Sequence, residues 1–326
     1  MSTVTTTTET HTALHFAPVA GWGRLPMGST LGSEATSVAL HPDGRVFVFN
    51  RGPVPILIFD QEGEMLGGWG KDQFNLAHSI NIDAEGNLWL VDLKHVVEKR
   101  SPDGELLMTL GDRKKSAPPH SGLPFNRPTD VAVHPRSGEV FVTDGYRNSA
   151  VHRFSPEGEL IASFGSPGSD RGEFSLPHGV CFIGDDRLVI CDRENFRLQV
   201  FSLDGTWLDQ WHHYYPQALR SITRPDGSTW ILVGEGCPVA YQRETPHLGC
   251  RIKVLNTEGT EIGRLGIGEW GFEPDCFTAI HGISVEPVSG DVYVAEAPYA
   301  TITRYYHDEA PTGELLSLRK WQLVSS

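Results

Sequence analysis

The sequence predicts an all-β protein, specifically a six-bladed β-propeller with four antiparallel strands in each blade. The main observation is a phrase that recurs six times along the 326 residues. It consists of an alternating apolar run, a turn, and a second alternating run that ends in an acidic residue or Asn. Successive copies start 42 to 61 residues apart, close to the period of a four-stranded blade. The copies begin at Ser37, Ser79, Asp130, Gly179, Ser221 and Gly282.

The individual strands follow from residue alternation within each copy. In SVALHPDGRVFVFN, which begins at Ser37, β-branched and aromatic residues alternate on both sides of a turn, the pattern of a hairpin. The 35 Gly and 22 Pro residues also favour many short strands over long helices. The segment from Thr12 to Leu31 carries a Gly-Trp-Gly turn like those that end other blades. We expect it to supply the outermost strand of the sixth blade and so to close the ring.

Domain organisation and partners follow from composition. Residues 1–11 are polar and Thr-rich and predict a disordered tail, and residues 12–326 predict a single propeller domain. The tail lacks the basic and apolar regions of a secretory signal, so a cytoplasmic location is expected. A net charge of -14 at pH 7 argues against nucleic-acid and membrane partners, because both favour a basic face. No stretch approaches the roughly 18 continuous apolar residues of a membrane span.

A column of three histidines is the strongest candidate site. When the copies are aligned at the residue before each innermost strand, histidine occupies blades 2, 4 and 6. Innermost strands line the central channel of a propeller, so these three side chains should converge. Three neutral imidazoles suit one divalent transition metal, most readily zinc, with iron, cobalt and manganese left open. The aligned positions are Thr36, His78, Thr129, His178, Arg220 and His281.

Two further groups of residues bear on the site. Arg220, aligned with the histidines in blade 5, is a candidate for binding an anionic substrate. Tyr215 belongs to an aromatic segment between blades 4 and 5 and fits either packing or a wall of the substrate pocket. An acidic residue ends the second strand of most copies, and such recurrence favours a structural role in the following turn over metal ligation. These residues are Asp92, Asp144, Asp192 and Glu296.

The repeat pattern resembles the NHL-repeat family of propellers across nearly the whole chain. Within it, the segments TDGYRNS, CDRENFR and FNRG, together with AHSI and LPHGV around two of the histidines, are similar to motifs of the peptidyl-α-hydroxyglycine α-amidating lyases. The resemblance implies a catalytic tyrosine at Tyr146 and active-site arginines at Arg193 and Arg51. It also implies that a zinc ion is held by the three histidines.

Two departures from the lyase motifs are informative. The animal lyases carry a disulfide cysteine where this chain has Arg147, which agrees with a reducing compartment. They also have His-Asp in the third ligand motif, where the aspartate serves a structural calcium. This chain has Gly282 after His281, so a structural calcium is doubtful. The substrate need not be a peptide.

The sequence therefore predicts a metal-dependent lyase that cleaves an α-hydroxy-amide or a related hydroxylated carboxylate. The metal and arginines would stabilise an alkoxide and a tyrosine would act as general base. The expected substrate is a small molecule with a carboxylate or an amide, and Arg51, Arg193 and Arg220 suit a carboxylate. Two alternatives stay open. One is a metal-dependent hydrolase of the lactonase type, whose sites use Glu, Asn and Asp around calcium, and the other is a non-catalytic NHL interaction scaffold.

Overall fold

A computed structural model describes residues 14–27, 31, 34–239, 242, 245–299 and 317–325. The tail predicted for residues 1–11 lies outside these ranges. The regular structure is almost entirely β, as predicted, and its strands are numbered β1 to β26 in chain order. Within the described ranges, no helix has the length and apolar character needed to cross a bilayer.

Four sheets each contain four consecutive antiparallel strands, because short alternating runs separated by tight turns fold back as hairpins. The first of them follows β1 (Leu14–Val19) along the chain. The first sheet is β2 (Ala35–Leu40), β3 (Val46–Asn50), β4 (Ile56–Phe59) and β5 (Met65–Trp69). The second is β6 (Ala77–Ile82), β7 (Leu88–Asp92), β8 (Val96–Arg100) and β9 (Leu106–Gly111). The third is β10 (Asp130–Val133), β11 (Val140–Asp144), β12 (Ala150–Phe154) and β13 (Leu160–Phe164).

A short parallel pair, β14 (Ser166–Pro167) and β15 (Glu173–Phe174), precedes the fourth sheet. The fourth sheet is β16 (Pro177–Ile183), β17 (Arg187–Asp192), β18 (Arg197–Ser202) and β19 (Trp207–His212). A 3₁₀ turn, Arg193–Asn195, joins β17 to β18.

The remaining strands form one eight-stranded sheet in which β1 is central. β1 pairs antiparallel with the last strand of the chain and parallel with β23. The order along the sheet is β20 (Pro216–Thr223), β21 (Thr229–Glu235), β22 (Arg251–Leu255), β23 (Glu261–Leu265), β1, β26 (Leu318–Ser325), β25 (Val292–Glu296) and β24 (Ile280–Val285).

Burial follows strand position. The second strand of each four-stranded unit is almost wholly buried, whereas fourth strands such as β5 and β13 alternate between half-buried and exposed residues. Apolar clusters fill the spaces between neighbouring sheets; one of them joins Trp89 of β7 to Val131 of β10 and Val142 of β11. Each fully buried side chain of this size contributes about 2 kcal/mol. The first strands β2, β6, β10, β16, β20 and β24 each contact the next in this order, and β24 contacts β2.

The same irregularity recurs in the first strands and positions the histidines. The register between first and second strand shifts at His78 in β6, at His178 in β16 and at His281 in β24. Such a bulge leaves the extra residue out of the ladder and redirects its side chain. Because of the bulges, the directions of the three imidazoles are not fixed by the in-and-out alternation of side chains along their strands.

The recurring acidic residues are structural, as the sequence predicts, but the contacts below are with the segment before the first strand and not with the turn that follows the second strand. Asp92 accepts hydrogen bonds from the backbone N–H groups of Asn75 and Leu76, just before β6. Glu296 does the same for Thr278 and Ala279, just before β24. Each carboxylate thus fixes the entry into the first strand of its own unit, the strand that carries a histidine.

Candidate metal centre and active site

The three histidines of the predicted column converge. Potential ligand atoms of His78, His178 and His281 all lie within 4.8 Å of one another. Their ring centroids are 4.7 to 5.3 Å apart, and the planes are steeply inclined to each other. Three imidazoles from three separate sheets therefore surround a single point.

Hydrogen bonds on the far side of each ring fix its orientation. Every Nδ1 lies against a backbone carbonyl of the next first strand in the cyclic order. With Nδ1–H donating there, the Nε2 lone pair of each ring is left to face the centre. The pairs are His78 with Thr129 O at 2.5 Å, His178 with Gln217 O at 2.7 Å and His281 with Thr36 O at 2.7 Å.

The electrostatics keep these imidazoles neutral at pH 7. Burial lowers the pKa of His78 and of His178 well below the usual range, and neighbouring positive charge adds to the effect. Burial and the charge of Arg51 lower the pKa of His281 to about 4. Neutral imidazoles with fixed tautomers form a donor set that fits a divalent transition metal such as zinc.

Tyr146, which follows β11, reaches the same point. Its hydroxyl oxygen lies 3.2 Å from Nε2 of His78 and 3.3 Å from Nε2 of His178. Its ring also meets both imidazoles edge-on. A ligand held by the histidines would therefore lie beside a phenolic oxygen that can take or give a proton.

Arg193 lies beside Tyr146, in the turn that ends β17. Its buried guanidinium lies over two aromatic rings, 5.6 Å from the centroid of Tyr146 and 5.2 Å from that of Tyr215. Nε and Nη2 both donate to Oε1 of Glu194, at 3.2 and 3.0 Å. The hydroxyl of Tyr215 donates to the same oxygen at 2.8 Å. Tyr215 is thus part of the site, through Arg193 and Glu194.

Arg51 approaches from the turn after β3. It donates from Nη1 to the carboxylate of Glu34, which is buried, and from Nε to the carbonyl of Ala77 at 3.2 Å. Its charge contributes to the lowered pKa of His281 and of His78. Glu34 could not be identified from the sequence, because nothing in its local pattern marks it as the partner of an arginine 17 residues away.

The placement of Arg220 in the histidine column was wrong. Pro216 pairs with Glu235 and the bulge precedes Ala218, so Gln217 is the residue equivalent to the three histidines. The fifth copy of the repeat begins at Ser221 in the sequence pattern, but its first strand, β20, starts five residues earlier. Arg220 lies three residues further along the strand than the column position.

Arg220 instead connects its own strand to two other first strands. Its Nε donates to the carbonyl of Ile283 at 3.1 Å and its Nη2 to the carbonyl of Ile80 at 3.2 Å, in β24 and β6. Asp130 of β10 lies near the guanidinium. Burial raises the pKa of Asp130, while the charge of Arg220 favours its carboxylate form. These contacts link first strands from several sheets.

Gly282 is closely packed where the lyase motif has aspartate. A Cβ atom at this position would lie 2.5 Å from Cα of Ser37 and 2.9 Å from its Oγ. No larger side chain fits there without displacing β2. The departure at Gly282 therefore removes a carboxylate and also leaves no room for one, so this part of the structure does not fit a calcium ligand.

Comparisons with known proteins show what the chain is similar to in sequence. The NHL repeat family matches residues 125–154 and 174–201. A peptidyl-glycine alpha-amidating monooxygenase of Mus musculus is 41% identical over 46% of this chain and 16% of its own length. The peptidyl-alpha-hydroxyglycine alpha-amidating lyase 1 of Drosophila melanogaster is 30% identical over 77% of this chain and 43% of its own length. The chain thus spans less than half of either relative.

The fold has a counterpart among solved structures. A streptogramin B lyase structure superposes with a TM-score of 0.58 over 95% of this chain and 98% of that one, at 14% identity. A virginiamycin B lyase from Staphylococcus aureus, solved with quinupristin, gives a TM-score of 0.54 at 12% identity. At such identities the likeness concerns the fold alone. Two segments of the chain thus match the NHL repeat family, and the chain is similar in sequence to the peptidyl-alpha-hydroxyglycine alpha-amidating lyases.

Proposed function

We propose that this protein is a metal-dependent lyase that cleaves a small α-hydroxy-amide, or a related hydroxylated carboxylate, into an amide and a carbonyl product. The observation that carries the proposal is the phenolic oxygen of Tyr146, within hydrogen-bond distance of two of three convergent histidines. The lyase names of the similar proteins from fly and nematode support this reaction class over a lactonase-type hydrolase or a non-catalytic scaffold.

The proposed scaffold is a closed six-bladed ring. Support comes from the cyclic contacts of the six first strands and from the pairing of β1 with β26, which gives the last unit a fourth strand from the N-terminal segment. A closed ring would hold alternate blades about 120° apart. That geometry explains how three strands distant in sequence present their histidines to one point.

His78, His178 and His281 would hold one divalent ion, most readily zinc. When bound, such an ion supplies Lewis-acid stabilisation of negative charge on the substrate oxygen. The chain's own residues keep the imidazoles neutral and oriented. Burial lowers the pKa values of the imidazoles, and the backbone carbonyls fix the ring orientations.

The substrate would be bound and deprotonated by residues at the same end. Arg193, together with Arg51, would hold the carboxylate, since guanidinium groups form paired hydrogen bonds with carboxylates. The oxygen of Tyr146, acting as a phenolate, accepts the proton of the substrate hydroxyl. The electron pair left on oxygen forms the carbonyl double bond, the C–N bond breaks, and the nitrogen takes up the proton as the amide leaves. Tyr215 forms a wall of this site.

The decisive experiment combines metal analysis with turnover. The purified protein should contain about one transition-metal ion per chain and release glyoxylate from an N-acyl-α-hydroxyglycine. Each of His78→Ala, His178→Ala and His281→Ala should lose the metal and the activity. His247→Ala, whose side chain is 73% exposed, is the matched control and should keep both. Full turnover by metal-free protein would rule out the proposed metal dependence.

A further inference from the structure

Glu194 is an unusual partner for a buried arginine. The carboxylates that pair with other buried arginines, such as Asp192 with Arg197, are themselves fully buried. The side chain of Glu194 is 37% exposed, although the Arg193 side chain that it contacts is only 8% exposed. Because it already borders water, Glu194 can leave Arg193 without stranding a charge in the protein interior.

The geometry of the pair also leaves room for a better ligand. Nε and Nη2 of Arg193 share the single oxygen Oε1 of Glu194, which is the next residue in the chain. A separate carboxylate could instead offer one oxygen to each nitrogen, the paired arrangement that guanidinium groups favour. The hydroxyl of Tyr215 donates to the same Oε1, so the departure of Glu194 would release three donors together.

We propose that Glu194 is the internal counter-ion of Arg193 and occupies the carboxylate subsite until a substrate carboxylate displaces it. Glu194 is then a specificity-determining residue. When the Arg193–Glu194 pair separates, its electrostatic stabilisation is lost, and only a ligand with a negative charge restores it. A neutral amide does not. This inference rests on the proposed function for the identity of the site, but it concerns binding rather than turnover.

The test compares a stable carboxylate with its neutral analogue. N-benzoylglycine and N-benzoylglycinamide differ in charge and lack the hydroxyl group that reacts. Their dissociation constants are measured calorimetrically on the metal-loaded wild type, on Glu194→Gln and on Glu157→Gln. The last variant makes the same charge change at an exposed hairpin residue and serves as the control.

Glu194→Gln should bind N-benzoylglycine about three- to tenfold more tightly, because a neutral amide competes for Arg193 less strongly than a carboxylate. Binding of N-benzoylglycinamide should not change, and Glu157→Gln should behave as wild type. Equal or weaker binding of the carboxylate by Glu194→Gln, or no binding to either protein, would overturn the inference. If the selective gain is found but no α-hydroxy-amide is cleaved, the proposed reaction fails and the role of Glu194 stands.

Discussion

Arg193 and Arg220 both belong to the surroundings of the three histidines but use their guanidinium groups differently. Arg193 is paired with a half-exposed carboxylate and lies between two tyrosine rings. Arg220 donates to two backbone carbonyls, those of Ile80 and Ile283, in strands of different sheets. A side chain at the surface can exchange places with a ligand, whereas backbone carbonyls of a buried strand cannot leave. The partner, more than the arginine, therefore distinguishes a binding site from a structural link.

The residues around the histidines therefore fall into two groups, a front region and a rear region. The front region consists of Tyr146, whose hydroxyl lies next to Nε2 of two histidines, and of Arg193 and Arg51, whose charges lower the pKa values of the histidines. The rear region, with Asp130 and Arg220, ties the inner strands together. Substitutions in front should change chemistry and binding, and substitutions behind should change stability.

The largest expected effect belongs to the front region. Tyr146→Phe removes one oxygen and little packing, so kcat should fall by about 10² to 10⁴, the range typical of a lost general base. The metal content and the melting temperature should stay close to those of wild type, since the histidines keep their carbonyl partners. Steady-state kinetics with an N-acyl-α-hydroxyglycine measure the change. Unchanged turnover in this variant would show that Tyr146 is not the base.

The next effect belongs to the rear region. Arg220→Met keeps a long apolar stem but removes every donor, which leaves two carbonyls and Asp130 without their cationic partner. The free energy of unfolding should fall by about 3 kcal/mol. Arg193→Met is the matched variant and should cost about 1 kcal/mol or less, because Glu194 can turn to water. Urea denaturation of both proteins measures the difference. Equal losses would remove the distinction between the two regions.

The sequence predicted the front region better than the rear one, for a physical reason. His78, His178 and His281 share a register in a repeat, so geometry follows from the period. Arg220 falls in a copy whose first strand begins early, and neither the alternation nor the turn shows where the bulge at Gln217 lies. The β-sheet units were predictable from local alternation. The choice of backbone carbonyl that pairs with an arginine depends on contacts between different β-sheet units. No local sequence pattern records those contacts.

The histidines between the two regions should make the metal-free protein sensitive to acid. Because the pKa of His281 falls from 6.5 to about 4 on folding, the unfolded chain binds a proton in this window that the folded protein does not. Stability is therefore full above pH 6.5 and is lost as the pH falls towards 4, with His281 alone accounting for about 2 kcal/mol at pH 5. Its neighbours in the centre add to this loss, because their pKa values are lowered too.

The measurement is urea denaturation of chelator-treated protein at pH 7 and pH 5. In His281→Gln the difference between the two pH values should be smaller than in wild type. His247→Gln removes an exposed histidine and should leave the difference unchanged. If His281→Gln showed the same pH dependence as wild type, His281 would not be a group whose protonation destabilises the folded protein. The effect of the front arginines on the pKa of the histidines would then be contradicted as well.

The smallest expected effect is that of calcium, and it bears on the rear region. Close packing against Ser37 leaves no room for a carboxylate at Gly282, and the guanidinium of Arg220 already provides a positive charge for nearby carbonyl oxygens. Added calcium should therefore leave the melting temperature of the zinc-loaded protein unchanged, and a chelator that spares zinc should not lower it. Gly282→Asp should destabilise the fold with or without calcium, because its Cβ collides with the backbone of β2. A calcium-dependent rise in the melting temperature of wild type would show that other oxygens form a cation site in this region, besides the links made by Arg220.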